Sequence, residues 1–457
     1  MRPVLRLTAA FLAITLGGGS AASAQTLTEA LERAYATSPA LELSRAAVRA
    51  ADEGVPQARA GARPNVTANA RAGLASQDGI FGEEPLDSQS LSLNGSVRVF
   101  DGGATDASVN AAMAVVTQAR ADLAGTEQNV LLAAVTAYVD VLRDTQFVRL
   151  ARNNVRVINS QLEAAQDRFE VGEVTRTDVA QARSRLAAAR SNLVANEGAL
   201  NRSREAYVAA IGDVPTELAP TPPLPALPTT LAEAEAMAMR MAPSLVAARQ
   251  AVEEAEYGIE LARAGFRPTV DVTGSVTSSS SVLDDTSDTA EIGISASVPL
   301  YRGGALSSAV RQAVARKEQA EAALQETARS VRRSVADAWS GLEVSRASIQ
   351  ASRERITAAR IAFEGVREEA RLGARTTLAV LDAEQELLDA LTNLAAAERD
   401  EYVAAYQLLA SVGLLNATHL GLAVDIYDPT RNYDAVQNGP FATGGRGEIL
   451  DRILGRY

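Results

Sequence analysis

The chain has 457 residues, of which 47% are hydrophobic but only 4% aromatic, and its formal net charge is -12. This composition suits closely packed helices better than a bulky core, and the acidic balance argues against nucleic acid as a partner. Cysteine is absent, which excludes disulfides, thiol catalysis, cysteine-ligated metals and a lipid-modified N-terminal cysteine.

The N-terminus has the features of an export signal. Two arginines precede an apolar run at 7–16, and the small-x-small sequence at 22–24 matches a cleavage site. We therefore predict a signal peptide at 1–24 and a mature chain that begins at Gln25. The apolar run is too short to span a bilayer, and no later stretch is both long and apolar enough, so membrane crossing is expected from strands.

Five landmarks occur twice in the same order, about 200 residues apart, which indicates an internal duplication. The paired landmarks are 26–30 with 230–234, Ser38-Pro39 with Ala242-Pro243, Arg63-Pro64 with Arg267-Pro268, Phe100-Asp101-Gly102-Gly103 with Tyr301-Arg302-Gly303-Gly304, and Val171-Gly172 with Leu372-Gly373. The predicted organisation is a first repeat at 25–212, a Pro/Thr-rich linker at 213–229, a second repeat at 230–424 and an irregular, partly disordered segment at 425–457.

Proline placement divides each repeat into long helices, because proline interrupts helix interiors. The prolines and glycines predict helices at 27–62, 103–170 and 175–212 in the first repeat and at 231–266, 303–371 and 376–412 in the second. At about 1.5 Å per residue, the first and third helices of each repeat are each about 55 Å long and the second is about 100 Å long. The two shorter helices laid end to end would therefore match the long one. Along 324–370, apolar and small residues recur at alternating intervals of four and three positions, which predicts a coiled-coil seam.

A period-two alternation of apolar and polar residues separates the first and second helices of each repeat. It predicts strands at about 64–76, 88–100, 268–278 and 289–300, joined at hairpin tips by acidic, Gly/Ser-rich loops at 77–88 and 279–288. The alternative is a small soluble sandwich whose apolar face is core. Because four strands cannot close a barrel and open edges are not tolerated in lipid, the membrane interpretation requires strands from several copies.

Chemistry-bearing clusters are not evident in the sequence. His419 is the single histidine, and the glycine pairs lack the other residues of phosphate or dinucleotide motifs. We therefore predict no catalytic, cofactor-binding or metal-binding residues, and no enzymatic activity.

The duplicated landmarks together resemble the TolC family of outer membrane efflux proteins over nearly the whole mature chain. The resemblance implies a mostly α-helical protein with a membrane β-barrel: a homotrimer whose twelve strands close one barrel, continued by a periplasmic α-barrel of long helical hairpins. It also implies a passive conduit in the outer membrane of a Gram-negative bacterium, for efflux or type I secretion. A periplasmic adaptor and an inner-membrane pump of the RND or ABC type would be its partners.

The same resemblance assigns roles to the two turns that join the long helices. Gate residues at the periplasmic end would be Asp178, Thr177, Arg375 and Asp382. Adaptor-docking residues would be Gly172, Glu173, Gly373 and Ala374. The sequence departs from the family pattern at Ala370 and Ala379, where an aromatic hydroxyl and a pore carboxylate are expected, so the negative ring would be carried mainly by Asp382.

Two aromatic residues at strand ends, Phe100 and Tyr301, are predicted either to lie at the membrane interface or to pack against the helix joints. The alternative function is a periplasmic coiled-coil adaptor or scaffold, which would also have a signal peptide and long helices. Four alternating strands at equivalent points of a duplication have no place in such a scaffold. The cargo and the type of pump stay open at this level.

Overall fold

The computed structural model describes residues 24–79, 82–281 and 284–437, with side chains described outside 74–88 and 281–285. The predicted signal peptide, apart from its last residue, and the tail after residue 437 lie outside the described part. The helices and strands are α1 Leu27–Thr37, α2 Pro39–Asp52, α3 Gly54–Arg59, β1 Asn65–Gly79, β2 Gly82–Phe100, α4 Ala104–Glu170, α5 Arg176–Ile211, α6 Leu231–Met241, α7 Pro243–Ala264, β3 Thr269–Ser281, β4 Asp284–Ser297, α8 Ala305–Arg371, α9 Thr377–Val412 and α10 Arg431–Val436.

The two repeats have matching long helices, as the proline pattern predicts. Helices α4 and α8 each have 67 residues, and α5 and α9 each have 36. Each long helix pairs with the helix that follows it, and α7 lies between α4 and α8. Within the described residues, no helix has both the length and the apolar character needed to cross a membrane.

The first helix predicted in each repeat is wrong as a continuous element, because a proline interrupts it. The single spans 27–62 and 231–266 are broken after α1 and α6, where Pro39 and Pro243 begin the next helix. Proline has no N–H to donate and pushes the preceding residue toward extended backbone, so Ser38 and Ala242 have ψ values of 118° and 121°. In the first repeat, the Ser38 hydroxyl then caps α2 by accepting from the Leu41 N–H at 3.4 Å.

The four strands form one antiparallel sheet in the order β1-β2-β3-β4. They are longer than the alternation predicts, so the expected loops at 77–88 and 279–288 are largely strand, while β4 ends at Ser297 rather than at 300. The ladder continues through pairs such as Asp78 with Glu83 and Ser279 with Ser287. Backbone pairing supports these polar residues beyond the apolar rows, which is why hydrophobic alternation could not detect them.

The main core lies where the short helices, the linker and the long helices meet. Tyr138 of α4 and Tyr207 of α5 are fully buried there with ring centroids 6.5 Å apart. The Tyr138 hydroxyl lies 2.9 Å from the Gln25 carbonyl oxygen and 2.7 Å from that of Ala219, so it joins the start of the predicted mature chain to the linker.

The segment after residue 424 is not wholly irregular, because it contains α10 and packs on the first repeat. The Tyr427 N–H donates to the Tyr35 hydroxyl at 3.3 Å, and Asn432 donates its side-chain amide to the buried carboxylate of Asp52 at 2.9 Å. Arg120 of α4 lies against the Tyr433 ring, 5.4 Å from its centroid. Local sequence could not predict this helix, since it depends on partners far away in the chain.

Candidate functional site

The turns that join α4 to α5 and α8 to α9 lie side by side at one end of the molecule and line a single open groove, called the tip cleft here. A guanidinium hydrogen bond connects the two turns, since Arg168 donates to the Ala370 carbonyl oxygen at 3.4 Å. The tip cleft is lined by Arg168, Glu173, Val174, Thr175, Asp178, Ala370, Arg371, Leu372, Gly373, Ala374, Arg375, Thr376 and Thr377.

The four residues assigned to adaptor docking form the two turns themselves. Gly172 and Gly373 have φ values of +83° and +80°, a conformation that favours glycine. The following residues close each turn: the Glu173 N–H donates to the Arg168 carbonyl at 2.9 Å, and the Ala374 N–H donates to the Glu369 carbonyl at 2.8 Å. All four docking residues are exposed at this end of the helices.

Two of the predicted gate residues belong to the first turn of α5. The Asp178 carboxylate accepts from the backbone N–H and from the hydroxyl of Thr175, each at 2.8 Å, and completes a capping box. These hydrogen bonds hold the pKa of Asp178 below its usual value. Thr177 is exposed beside it. In the single chain, Asp178 therefore stabilises its own helix start rather than pairing with the second hairpin.

The other two gate residues carry ion pairs of different kinds. Arg375 donates to the Glu369 carboxylate at 2.8 Å, within the same turn. Asp382 of α9 instead accepts from Arg185 of α5 at 2.7 Å, so this pair links the two hairpins. Sequence reasoning missed Arg185, because it lies in a run of similar arginines and its partner is 197 positions away.

A further acidic residue near the cleft was also missed. Glu384 of α9 is only 7% exposed, although it lies two positions after the exposed Asp382. Burial raises the pKa of Glu384, and the positive charge of Arg367 on α8 opposes that rise only in part. Glu384 therefore holds its proton to a higher pH than a carboxyl group in solvent does.

The sheet has two chemically distinct faces, as the period-two pattern predicts. Register places apolar residues opposite one another, for example Leu93 between Ala68 and Val276. The other face is polar, and on it Arg98 donates to Asp271 at 2.9 Å. The apolar face carries large side chains that are at least half exposed, namely Val66, Leu91, Leu93, Val276, Ile292 and Ile294. A continuous row of exposed apolar side chains is typical of a surface that contacts a membrane or another protein.

Of the two aromatic residues predicted at strand ends, Phe100 is the last residue of β2, whereas Tyr301 lies four residues after the end of β4, and both are exposed. Phe100 is 51% and Tyr301 is 87% exposed, and each is followed closely by a glycine pair that leads into a long helix. Phe100 lies opposite Val270 across a bulge between β2 and β3. This exposure favours a position at an interface over packing against the helix joint.

The described chain thus combines a four-stranded sheet, which has one apolar face, with two long helical hairpins. The family model for outer membrane efflux proteins matches residues 30–213 and 236–414. The chain belongs to this family. The two matched segments correspond closely to the two repeats, so the family unit is the duplicated one that the sequence indicates.

Similar proteins agree with this assignment. The chain is 35% identical over 433 residues to the outer membrane efflux protein BepC of Brucella suis biovar 1, covering 94% of each protein. It is 30% identical over 422 residues to the outer membrane protein TolC of Vibrio cholerae, covering 89% of the chain and 95% of that protein. The fold is shared with the CmeC outer membrane channel of Campylobacter jejuni, with a TM-score of 0.77, 15% identity and coverage of 95% and 98%.

The predicted resemblance to the TolC family is therefore confirmed, and the adaptor or scaffold alternative is wrong. The protein is an outer membrane channel for efflux or type I secretion in a Gram-negative bacterium. The family consists of transport conduits rather than enzymes.

We expect Glu384→Gln to raise the thermal stability of the helical region at about pH 8, by about 1–2 °C, and to have little effect at about pH 4. Because the pKa of Glu384 is raised in the folded state, the native protein keeps this proton up to a higher pH than the unfolded chain does. The contribution of Glu384 to the free energy of unfolding is therefore fully present below the usual carboxyl pKa, and it is lost as pH rises through the folded-state pKa.

Circular dichroism melting at both pH values measures the effect. The control is Glu364→Gln on α8, which replaces an exposed carboxylate and should change neither midpoint. An equal stabilisation by Glu384→Gln at both pH values would contradict the burial argument.

Proposed function

We propose that three copies of this chain close one conduit, in which twelve strands form a membrane barrel and the hairpins form a periplasmic tube. The observation that carries the proposal is the pairing of the sheet: in the described chain, β1 pairs only with β2, and β4 pairs only with β3. Both outer strands thus present unpaired backbone groups beside an apolar face. Such edges are not tolerated in lipid unless they meet another strand.

The internal duplication supplies a register for this pairing between copies. Phe100 corresponds to Tyr301, so β4 is the counterpart of β2, and Arg267 corresponds to Arg63, so β1 is the counterpart of β3. The pairing of β2 with β3 can therefore be copied to predict how β4 pairs with β1 of the partner subunit. The pair Gly95 with Gly274 then corresponds to Ala296 with Ala70 of the partner subunit. The same register puts Ile294 opposite Ala72 of the partner subunit, which keeps the apolar rows continuous.

The tip cleft is proposed as the closed periplasmic entrance. Asp382 contributes most directly, because its pair with Arg185 ties α9 to α5, whereas Asp178, Thr177 and Arg375 shape the turns around it. Such an exposed pair contributes up to about 1 kcal/mol, so threefold repetition would give a closure that a partner can release.

A periplasmic adaptor is proposed to dock on Gly172, Glu173, Gly373 and Ala374, and to connect the channel to an inner-membrane pump of the RND or ABC type. The neighbouring apolar residues Val171 and Leu372 are each 72% exposed, which supports a protein contact at both turns. Phe100 and Tyr301 are proposed to lie at the inner surface of the outer membrane.

We expect the double variant Ala70→Cys/Ala296→Cys to form disulfides between chains, giving a ladder that ends at three on non-reducing gels. The chain has no cysteine of its own, so the background is clean. Within one chain these positions lie on opposite outer strands, separated by three strand spacings of about 4.8 Å, which a disulfide cannot bridge.

The matched control is Ala72→Cys/Ala296→Cys, which moves one cysteine a step along the same face and should link poorly. A ladder that forms only with the control would contradict the register. Failure of both pairs to link would contradict the trimeric barrel.

Breaking the pair between hairpins should loosen the entrance. We expect Arg185→Gln and Asp382→Asn each to raise the resting conductance of single channels in planar bilayers about two- to fivefold, corresponding to up to about 1 kcal/mol for an exposed pair. The double variant should add little to either single change, because both remove the same interaction.

Arg183→Gln is the control, since it removes an exposed arginine two positions away on the same helix. Resting conductance that is unchanged in both single variants would argue against this closure.

A further inference from the structure

An open groove between α4 and α5 is lined by positive charge, although the whole chain has a formal net charge of -12. Arg149, Arg152 and Arg156 of α4 and Arg204 of α5 line it, and all four are exposed. Glu197 of α5 is the only carboxylate among its lining residues in the described chain. The arginines of α4 follow one another at intervals of three and four positions, so they share one side of that helix. We call this groove the basic groove.

An ion pair accounts for only one of these four arginines. Arg152 donates to the Glu197 carboxylate at 2.8 Å. Arg149 and Arg156 donate instead to neutral side-chain amides one turn earlier in the same helix. Within the described residues, no carboxylate lies at ion-pair distance from Arg149, Arg156 or Arg204. The groove therefore keeps positive charge that the chain itself does not neutralise.

The second hairpin offers an internal comparison. Helices α8 and α9 have the same lengths as α4 and α5, so their residues can be matched one to one. At the positions of Arg152 and Glu197, the second hairpin has Arg353 and Glu398, and these also form an ion pair, at 3.8 Å. This pair therefore belongs to the shared architecture of the two hairpins.

The other arginines of the basic groove are not repeated in the second hairpin. The residues that correspond to Arg149, Arg156 and Arg204 are Gln350, Thr357 and Ala405, none of which is charged. A hairpin of the same length thus folds without these three arginines. Because like charges at such spacings destabilise a helix, Arg149 and Arg156 weaken α4 unless an anion lies beside them.

The basic groove adjoins the linker between the repeats. Arg149 and Arg204 also line a neighbouring cavity, together with Thr216, Glu217 and Leu218 of the linker. In the tube proposed above, the linker must run outside the helices, because the bore has to stay open for cargo. The basic groove lies beside the linker, so it belongs to the outer surface that faces the periplasm.

The geometry of the basic groove indicates what kind of partner fits it. A groove between two long helices can accept a third helix along its length. Carboxylates at i, i+3 or i+4, and i+7 on one face of that helix would have the same spacing as the arginines of α4. The guanidinium group also matches a carboxylate geometrically, since it can donate two parallel hydrogen bonds to its two oxygens.

We propose that the basic groove binds an acidic helical segment of a periplasmic protein partner, whose carboxylates pair with Arg149, Arg156 and Arg204. At about 1.5 Å per residue along α4, this contact would lie about 30 Å from the turn at Gly172, so it is a second docking surface, separate from the helix tips. It rests on the proposed function, because the tube places the groove on an outer surface.

The test measures binding of a fluorescent helical peptide, with glutamates at i, i+3 and i+7 on one face, to the detergent-purified trimer by fluorescence anisotropy. We expect Arg149→Gln/Arg156→Gln to raise the dissociation constant about tenfold, because two charged contacts are lost. Raising the salt concentration from about 50 to about 500 mM should weaken binding to the parent protein as well. The matched control is Arg183→Gln/Arg202→Gln, which removes two exposed arginines of α5 outside the groove and should bind like the parent.

A second peptide of the same composition, with its glutamates spread around the helix, should bind about tenfold more weakly than the first, because its carboxylates cannot all face the groove. Equal binding of the two peptides would overturn the helical match. Unchanged binding by Arg149→Gln/Arg156→Gln, or an equal loss in the control variant, would overturn the groove as the binding site.

The Ala70→Cys/Ala296→Cys background reports the assembly separately, because these positions lie in the sheet. If the disulfide trimer forms but does not bind the first peptide, the docking surface is overturned while the trimer stands. If no interchain disulfide forms, the trimer falls, and with it the outer surface that this contact requires.

Discussion

Backbone hydrogen bonding along β1 and β4 is the constraint on which the rest of this structure depends. Each of these strands pairs on one side in the described chain, and their exposed apolar residues face away from the polar surface of the sheet. In water such edges would be solvated, but in lipid they have no partner. The long helical hairpins follow directly from this sheet, since α4 begins four residues after β2 ends and α8 begins eight residues after β4 ends.

The duplication also creates a joint between the two repeats inside one chain. Strands β2 and β3 and the contact from Arg267 to the Gly102 turn show inside one chain how repeat meets repeat. The two repeats have nevertheless diverged at the turns, since Asp101 supports one helix start and Arg302 stands at the other.

Most charged side chains discussed at the helix tips bind residues that are close to them in the sequence. Asp178 caps its own helix and Arg375 pairs within its own turn, so neither depends on the other hairpin in the single chain. The pair of Arg185 with Asp382 crosses between hairpins but remains exposed, which limits its strength. Contacts of this weak and solvated kind break more easily than a deeply buried ion pair would.

Much of the architecture could be predicted from sequence, because hydrophobic period, proline spacing and repetition are local signals. They located the long helices to within two residues and identified the strands, and the glycines at 172 and 373 marked the turns. The breaks at Ser38 and Ala242 were missed although the prolines that cause them are visible in the sequence. Local pattern was insufficient where a partner decides the conformation: the polar ends of the strands were missed because ladder pairing supports them without apolar alternation.

The sequence by itself determined that the protein has two corresponding halves, each with a long helix and a strand hairpin. Only the tertiary structure decided which charges meet, since Arg185 and Asp382 are brought together by the packing of α5 near α9. It also decided that Glu384 is buried and that Arg267 packs against the glycine turn at Gly102. These properties depend on distances between residues far apart in the chain, and periodicity along one helix carries no information about them.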